Sequence, residues 1–423
     1  MVSSNTDNLF IYCFLDMNCK YSNIFCLNKI IHQKLGYPSY IHTSEHIEGG
    51  LHLGNIQIYL VFRSKIITFA PIFIKRIMKE TYIIGEIGQN HNGSVDLAKL
   101  IVELVARPIK EDMFGIYLKP MNAVKMTKRD LSEELTDSAM SMPYNSPNSF
   151  GKTYGEHRAF LELNEEQHYE VYQYAKSLGL DFIETLCAKK CLDMLKLFTP
   201  DKLKVASRDL TNLPLLAALA ETKIPIILST GMAGKKELDE ALDVITRYHS
   251  DISILHCVSQ YPTRPENLNL NTITYLKKHY GQYKIGFSDH TIGISAPVVA
   301  VGMGAEIIEK HITIDRRMKG TDQIGSLGPD GVNRMVRDIR YIEMSMGVED
   351  IYIDKSVEAS KIKLERSIAT RRTIKAGETI TEDDIHMLSP GDGFKWDQKE
   401  QVIGKVAKKE IKANEIIYKD DIA

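Results

Sequence analysis

His290 and His311 end two successive β-rich runs, and imidazole is a borderline ligand that suits a divalent ion. If those runs are neighbouring strands, the two rings lie within reach of one shared metal. Glu309, two residues before His311, would then orient that ligand or touch the ion itself. Lys119 and Lys204 end two further runs. With the hydroxyls of Thr185, Ser207, Ser229 and Ser288 they would receive a phosphate together with a carboxylate. The set suits a small dianionic or trianionic substrate handled beside a metal. Each member also has a plain structural alternative: a lone histidine such as His256 is more often bonded within its own scaffold, a lysine can be an ion-pair partner, and Ser and Thr commonly cap turns and helices.

Residues so scattered need a scaffold that gathers strand ends. From Thr81 onward, short β-rich runs alternate with helical patterns. Strands are expected at 82–86, 115–119, 181–184, 202–205, 224–228, 252–256, 284–286 and 305–309. Helices are expected at 95–105, 165–178, 213–221, 235–248 and 297–302. Eight βα repeats are the arithmetic of an α/β (β/α)8 TIM barrel of about 250 residues, whose active site lies at the strands' C-terminal ends. The connection 121–161, with Pro143, Ser146, Pro147, Asn148 and Gly151, has the length of a functional lid. The barrel is assigned to 78–348, a linker to 349–357 and a small β-rich domain to 358–423, where turns fall at Lys375-Ala376-Gly377 and Pro390-Gly391-Asp392-Gly393.

Residues 1–77 show no sustained periodicity and form an N-terminal extension without an assigned fold. His42 and His46 have the spacing of a zinc-ligand pair, but no cysteine pair among Cys13, Cys19 and Cys26 matches them, and His32 and His52 stand apart. Met78-Lys79-Glu80 runs directly into the first strand, so one reading starts the working protein at Met78 and makes the extension dispensable. The 53 Lys+Arg against 55 Asp+Glu leave no basic excess, which argues against a nucleic-acid-binding module. No stretch approaches the roughly 20 apolar residues of a membrane span; the best, 56–78, is broken by Arg63, Lys65, Pro71, Lys75 and Arg76. No basic region precedes the N-terminal apolar stretch, which Asp16 interrupts, so no secretory signal is expected. Six cysteines without a CxxC pair read as reduced thiols, and the cytoplasm is the expected compartment.

Several segments, in this order along one barrel, carry a resemblance: Gly85-Glu86-Ile87-Gly88-Gln89-Asn90-His91-Asn92-Gly93, Gly151-Lys152-Thr153-Tyr154-Gly155-Glu156-His157, Leu228-Ser229-Thr230-Gly231-Met232, His256 through Pro262, Gly286-Phe287-Ser288-Asp289-His290-Thr291, Ile308-Glu309-Lys310-His311 and Gly320-Thr321-Asp322. From Thr81 to Ala423 the chain resembles the N-acetylneuraminate (sialic acid) synthase family and related nonulosonic acid synthases, which join a (β/α)8 barrel to a C-terminal antifreeze-like (SAF) domain. The resemblance implies a PEP-dependent, aldol-type, C–C bond-forming transferase. Phosphoenolpyruvate (PEP) would condense with an N-acetylated hexosamine, N-acetylmannosamine or its 6-phosphate, giving a nine-carbon 2-keto acid and phosphate. It implies Mn2+, or Mg2+, on His290 and His311, and Glu86 as acid or base, with Glu309, Tyr261 and Asp322 beside the reacting groups. PEP would be held at Lys119, Thr185, Lys204, Ser207, Ser229, Ser259 and Ser288, and the sugar at Asp209, Tyr261 and Asp322. Arg366 would come from a partner subunit, making a domain-swapped homodimer.

The chain departs from the family at three points. Relatives usually carry Gln two residues after the strand-two lysine, where Lys119 is followed by Pro120-Met121; Arg208 replaces a usual Gly; and Ser259 stands where some relatives have Asn. Arg208 raises the expectation of an acidic acceptor, with a salt bridge to Asp209 as the alternative. The competing functions are a legionaminic or pseudaminic acid synthase and, in a different class, a carbohydrate-binding protein with an inactive barrel.

Overall fold

The computed structural model describes residues 80–423, together with the backbone of two short hairpins, Val2–Asn5 with Asn8–Ile11 and Val61–Phe62 with Lys65–Ile66. The candidate ligands at Cys13 through His52 and the possible start at Met78 lie outside the described residues. Two compact units divide the chain, one ending at Gly347 and the other running from Val348 to Ala423.

Eight parallel strands close the barrel: β1 Tyr82–Gly88, β2 Ala123–Lys128, β3 Asp181–Leu186, β4 Lys202–Val205, β5 Ile226–Ser229, β6 Ile252–Cys257, β7 Lys284–Asp289 and β8 Ile307–His311. β8 pairs with β1, so no sheet edge is left open. Outward residues such as Val124, Phe182, Leu203, Ile254 and Phe287 pack under the helices. The helix Val95–Ala106 shows how sequence makes this layer. Ser94 caps it by accepting from the Leu97 amide, and Ala98, Ile101, Val102 and Val105 turn one buried stripe onto the strands.

One expected strand is misplaced. Residues 115–119 do not enter the barrel. Ile116–Leu118 instead folds back antiparallel on Ile109–Glu111, through a turn at which Gly115 adopts φ +62°. The second barrel strand comes later, inside the segment read as a lid. The rest of that segment carries the short helices Leu131–Glu134 and Asp137–Met140 and the helix Tyr154–Leu161. The Gly151-to-His157 motif builds the start of this last helix. Thr153 Oγ1 accepts from the Glu156 amide and Glu156 Oε2 from the Thr153 amide, a capping box.

The second unit pairs β9 Ser367–Thr370 antiparallel with β10 Ile385–Leu388 around a core of Ile368, Ile374, Ile380, Ile385, Val402, Ala407, Ile411, Ile417 and Ile422. Its sequence repeats internally: Ile374-Lys375-Ala376-Gly377-Glu378 returns as Ile411-Lys412-Ala413-Asn414-Glu415. Gly377 and Asn414 both turn through positive φ, at +86° and +63°. Asp384 and Asp421 each accept a backbone amide three residues earlier, from Thr381 and Tyr418. Among the described residues no helix is long and apolar enough to cross a membrane.

Candidate active site

Side chains alternate along a strand, so the barrel's interior is built in layers. One layer is apolar: Ile84, Ala123, Ile183, Ile227, Leu255 and Ile307. Two residues further along those same six strands, the interior turns polar with Glu86, Lys125, Thr185, Ser229, Cys257 and Glu309. Lys204 and Ser288 complete the ring from β4 and β7, and all eight are buried.

Lys125 is the hub of this layer. Its ammonium lies 2.7 Å from Glu86 Oε2 and 3.7 Å from Glu309 Oε1, and it donates to Thr185 Oγ1 at 3.3 Å. Ser288 donates to Glu309 Oε1 at 3.0 Å. Burial pushes the Glu86 carboxyl up, with Lys125 pulling against it and the charge of Glu309 adding to it, to about 7. Burial would raise Glu309 as well, but Lys125, Lys204 and His311 outweigh it and hold this carboxyl down at about 2. Although Lys125 is nearer Glu86, Glu309 gathers more cations and the Ser288 hydroxyl, so Glu309 keeps the charge. Two carboxyls driven apart in this way are what acid–base work requires.

Lys119, expected as a phosphate ligand, lies outside this layer. Its side chain is 60% exposed and pairs with Glu80 at 2.9 Å, whereas that of Lys125 is 6% exposed. Lys119 closes a β-rich run, but that run is an outer hairpin strand. The signal for Lys125 was the alternation itself: Ala123, Lys125 and Thr127 fall on one face, Val124 and Met126 on the other. The comparison with Gln moves with the lysine, since the residue two places after Lys125 is Thr127 rather than Met121.

Other expected residues come together. Ser207 Oγ accepts the Gly231 amide at 3.0 Å. A Cβ on Gly231 would lie 2.8 Å from both Ser207 Oγ and Cys257 Sγ and closer still to Ser259 Oγ, so only glycine leaves this corner open. Ser229 Oγ is buried without a hydrogen-bond partner. At the end of β1 a register shift between Glu86 and Gly88 turns the strand, with Gly88 at φ +53°. A Cβ there would stand 3.0 Å from Glu86 Oε1 and 3.4 Å from His311 Cε1. His256 takes the structural role: it faces outward, stacks on Phe287, and its Nε2 donates to the Leu268 carbonyl at 2.8 Å.

His290 and His311 lie with ring centroids 5.5 Å apart, and Tyr261 packs over His290 at 4.2 Å. Together with Asp322 and Thr321 they line one pocket. Nδ1 of His290 meets the Val258 carbonyl at 3.0 Å; a carbonyl only accepts, so Nδ1 carries a proton and Nε2 is the ring atom left for a metal. Nδ1 of His311 is buried with no partner, and burial lowers this imidazole's pKa, favouring the neutral form that binds metals. These residues fit a divalent ion held by two imidazoles. Among the described residues no cluster of three or more His, Cys, Asp and Glu forms a closed metal cage, so the rest of the ion's shell would come from water and substrate. Arg208 is paired, with Asp209 at 3.2 Å and Glu134 at 2.8 Å. Arg366, in the second unit, is exposed and forms no hydrogen bond or ion pair among the described residues.

The comparisons with known proteins agree with this architecture. The NeuB family model matches residues 119–350 and the SAF domain model residues 365–423. Mouse N-acetylneuraminate-9-phosphate synthase is 33% identical over 71% of this chain and 81% of its own length. The N,N'-diacetyllegionaminic acid synthase of Legionella pneumophila is 33% identical over 76% of this chain and 89% of its own. The crystal structure of the sialic acid synthetase of Leptospira borgpetersenii superposes with TM-score 0.54 at 29% identity, covering 75% of this chain and 96% of that one. Barrel, SAF domain and relatives converge, and the chain belongs to the NeuB family of sialic and other nonulosonic acid synthases.

Proposed function

We propose that the chain condenses PEP with N-acetylmannosamine or its 6-phosphate to a nine-carbon 2-keto sugar acid, releasing phosphate. The observation that carries this reading is the buried polar ring, with two lysines, two carboxyls whose surroundings push them in opposite directions and a set of hydroxyls, beside the imidazoles of His290 and His311. Lys125, Lys204, Thr185, Ser207, Ser229, Ser259 and Ser288 would hold the carboxylate and phosphate of PEP. Asp209, Tyr261 and Asp322 would meet the sugar. Mn2+ or Mg2+ on His290 and His311 would supply Lewis acidity toward the acceptor's carbonyl oxygen.

C3 of PEP forms the new bond to the aldehyde carbon, and the aldehyde oxygen takes up a proton. Glu86, titrating near neutrality, is the group suited to give that proton, while Glu309 stays ionised and steadies the Lys125 ammonium. Water then adds at C2 of the former PEP, returning a proton to Glu86, and the C2–O bond to phosphate breaks as the new C2 hydroxyl becomes the keto oxygen and its proton leaves with the phosphate. The proposal includes the cytoplasm as compartment and a domain-swapped homodimer in which Arg366 is supplied in trans; its exposed, unpaired state supports that part.

The equal 33% identity to a diacetyllegionaminic acid synthase supports a second acceptor class, a 2,4-diacetamido hexose. Phosphate release from PEP with Mn2+, measured against N-acetylmannosamine, its 6-phosphate and a 2,4-diacetamido hexose, separates the two. Turnover with the diacetamido sugar alone replaces the first reading by the second, and silence with all three removes both.

A further inference from the structure

Arg208 sits in a network that joins two connections at the barrel's C-terminal face, the long one between β2 and β3 and the one after β4. Its Nη1 lies 2.8 Å from Glu134 Oε1 and its Nε 3.2 Å from Asp209 Oδ2. Glu134 ends the short helix after β2, and Arg208 and Asp209 belong to the turn after β4. Arg129 binds the same Glu134 oxygen at 2.7 Å and approaches Glu162, at the end of the lid helix, at 3.6 Å, while its amide donates to Glu162 at 3.2 Å. The side chains of Arg129, Glu134, Glu162 and Asp209 are all at most 16% exposed.

The charges in this corner decide what it can bind. Two guanidiniums face three carboxylates, so no cation is left over for a phosphate or an acidic sugar. What the corner offers is an acceptor: Asp209 Oδ2 is engaged by Arg208, and Oδ1 has no hydrogen-bond partner among the described residues. A lone Asp in such a buried site tends toward protonation; the adjacent guanidinium opposes that tendency and fixes the carboxylate plane. We propose that Arg208, clamped by Glu134, is a positioning residue that presents Asp209 Oδ1 to a neutral hydrogen-bond donor of the acceptor sugar, a hydroxyl or an amide N–H, and is not a ligand of a phosphorylated acceptor. This inference rests on the synthase reading above.

The test is steady-state kinetics of Arg208→Gly and Arg208→Lys in the full chain with Mn2+, PEP, and both neutral and 6-phosphorylated acceptors. Arg208→Gly should raise the acceptor KM by about 10-fold or more, the value of one charge-assisted hydrogen bond. The PEP KM should stay within about twofold, the preference between the two acceptors should not change, and Lys should restore part of the loss. An unchanged acceptor KM overturns the proposal, as does a loss confined to the phosphorylated sugar. If Arg208→Gly fails to fold, Asp209→Asn must show the same split between the two KM values, and its absence overturns the proposal. If the wild type turns over no acceptor, the synthase reading fails separately. The clamp is then read from a thermal-unfolding cycle of Arg208→Lys and Glu134→Gln, in which strictly additive shifts overturn it.

Discussion

Lys125 and Lys119 can be set against each other, because one is the hub of a buried layer and the other a surface ion-pair partner. At an effective dielectric of about 20, the 3.7 Å separation of Lys125 from the ionised Glu309 corresponds to about 4.5 kcal/mol of gross attraction, and Glu86, 2.7 Å away, adds up to about 6 kcal/mol only to the extent that it is ionised. Desolvation of the ammonium offsets much of this, and removing one partner of a buried pair typically costs about 3–5 kcal/mol. Lys125→Met should therefore lower Tm by roughly 6–15 °C. Adding Glu309→Gln removes the carboxylate that Lys125 compensates and should recover a large part of that loss, without restoring phosphate release. Activity should fall at least about 100-fold in Lys125→Met, since a preorganised charge on the substrate's oxygens is lost. Lys119→Met breaks only the exposed pair with Glu80, worth about 0.2–1 kcal/mol, and should leave phosphate release within twofold. Melting curves and phosphate release on the four proteins decide the matter. An inactive Lys119→Met beside an active Lys125→Met would refute the layer reasoning and restore the outer lysine to the site.

His311→Ala or His290→Ala should abolish metal-dependent phosphate release and weaken Mn2+ binding in equilibrium dialysis, with Tm little changed; unaltered binding would remove both as ligands. Gly231→Ala drives a methyl against Ser207, Cys257 and Ser259, so KM for PEP should rise about 10-fold or more, and an unchanged KM would place PEP elsewhere. Burial, with the charge of His168 adding to it, lowers His91 from 6.5 to about 3, so its stabilising contribution is complete above pH 6.5 and is lost as pH falls toward 3. Between pH 6.5 and 5 that is about 2 kcal/mol, and His91→Asn should flatten this part of a urea-unfolding profile relative to wild type. Mixing Arg366→Ala with Glu86→Ala protein should recover activity that neither has alone, because a swapped dimer can then contain one intact site; no recovery would count against the arginine in trans.

The barrel was legible because most of its strands centre on Ile, Leu, Val or Phe with polar residues at or near their ends, and burial on both faces leaves little room for another reading. Strand β2 was not. Ala123-Val124-Lys125-Met126-Thr127-Lys128 has two lysines, a threonine and a single β-branched aliphatic, while Ile116-Tyr117-Leu118 looks more strand-like by propensity and is a strand, only in the wrong sheet. Propensity reports that a segment is extended, and pairing decides where it goes. Arg208 illustrates a different limit: its identity suggested a surplus cation, but Glu134, 74 positions away in sequence, is what neutralises it, and no local pattern announces that contact.

Buried charge by itself does not mark the site. Lys310 and Asp289 form a fully buried pair at 2.6 Å on the outward side of the barrel, yet Asp289 also accepts from Thr291 and Lys310 also donates to the Thr291 carbonyl, so both are used up in the scaffold. His168 and Glu184 are equally buried at 2.7 Å, and each keeps one atom without a partner, but they face each other between β3 and the helix Glu165–Ser177. What distinguishes Glu309 Oε2, Ser229 Oγ and His311 Nδ1 is that their unmet hydrogen-bonding capacity faces the barrel's interior, in or beside one polar ring beneath the C-terminal ends of the strands. An apolar ring of similar volume would cost less to bury. A polar ring with open valences is favoured only if a polar substrate completes it, and two lysines with surrounding hydroxyls select a substrate that brings its own negative charge.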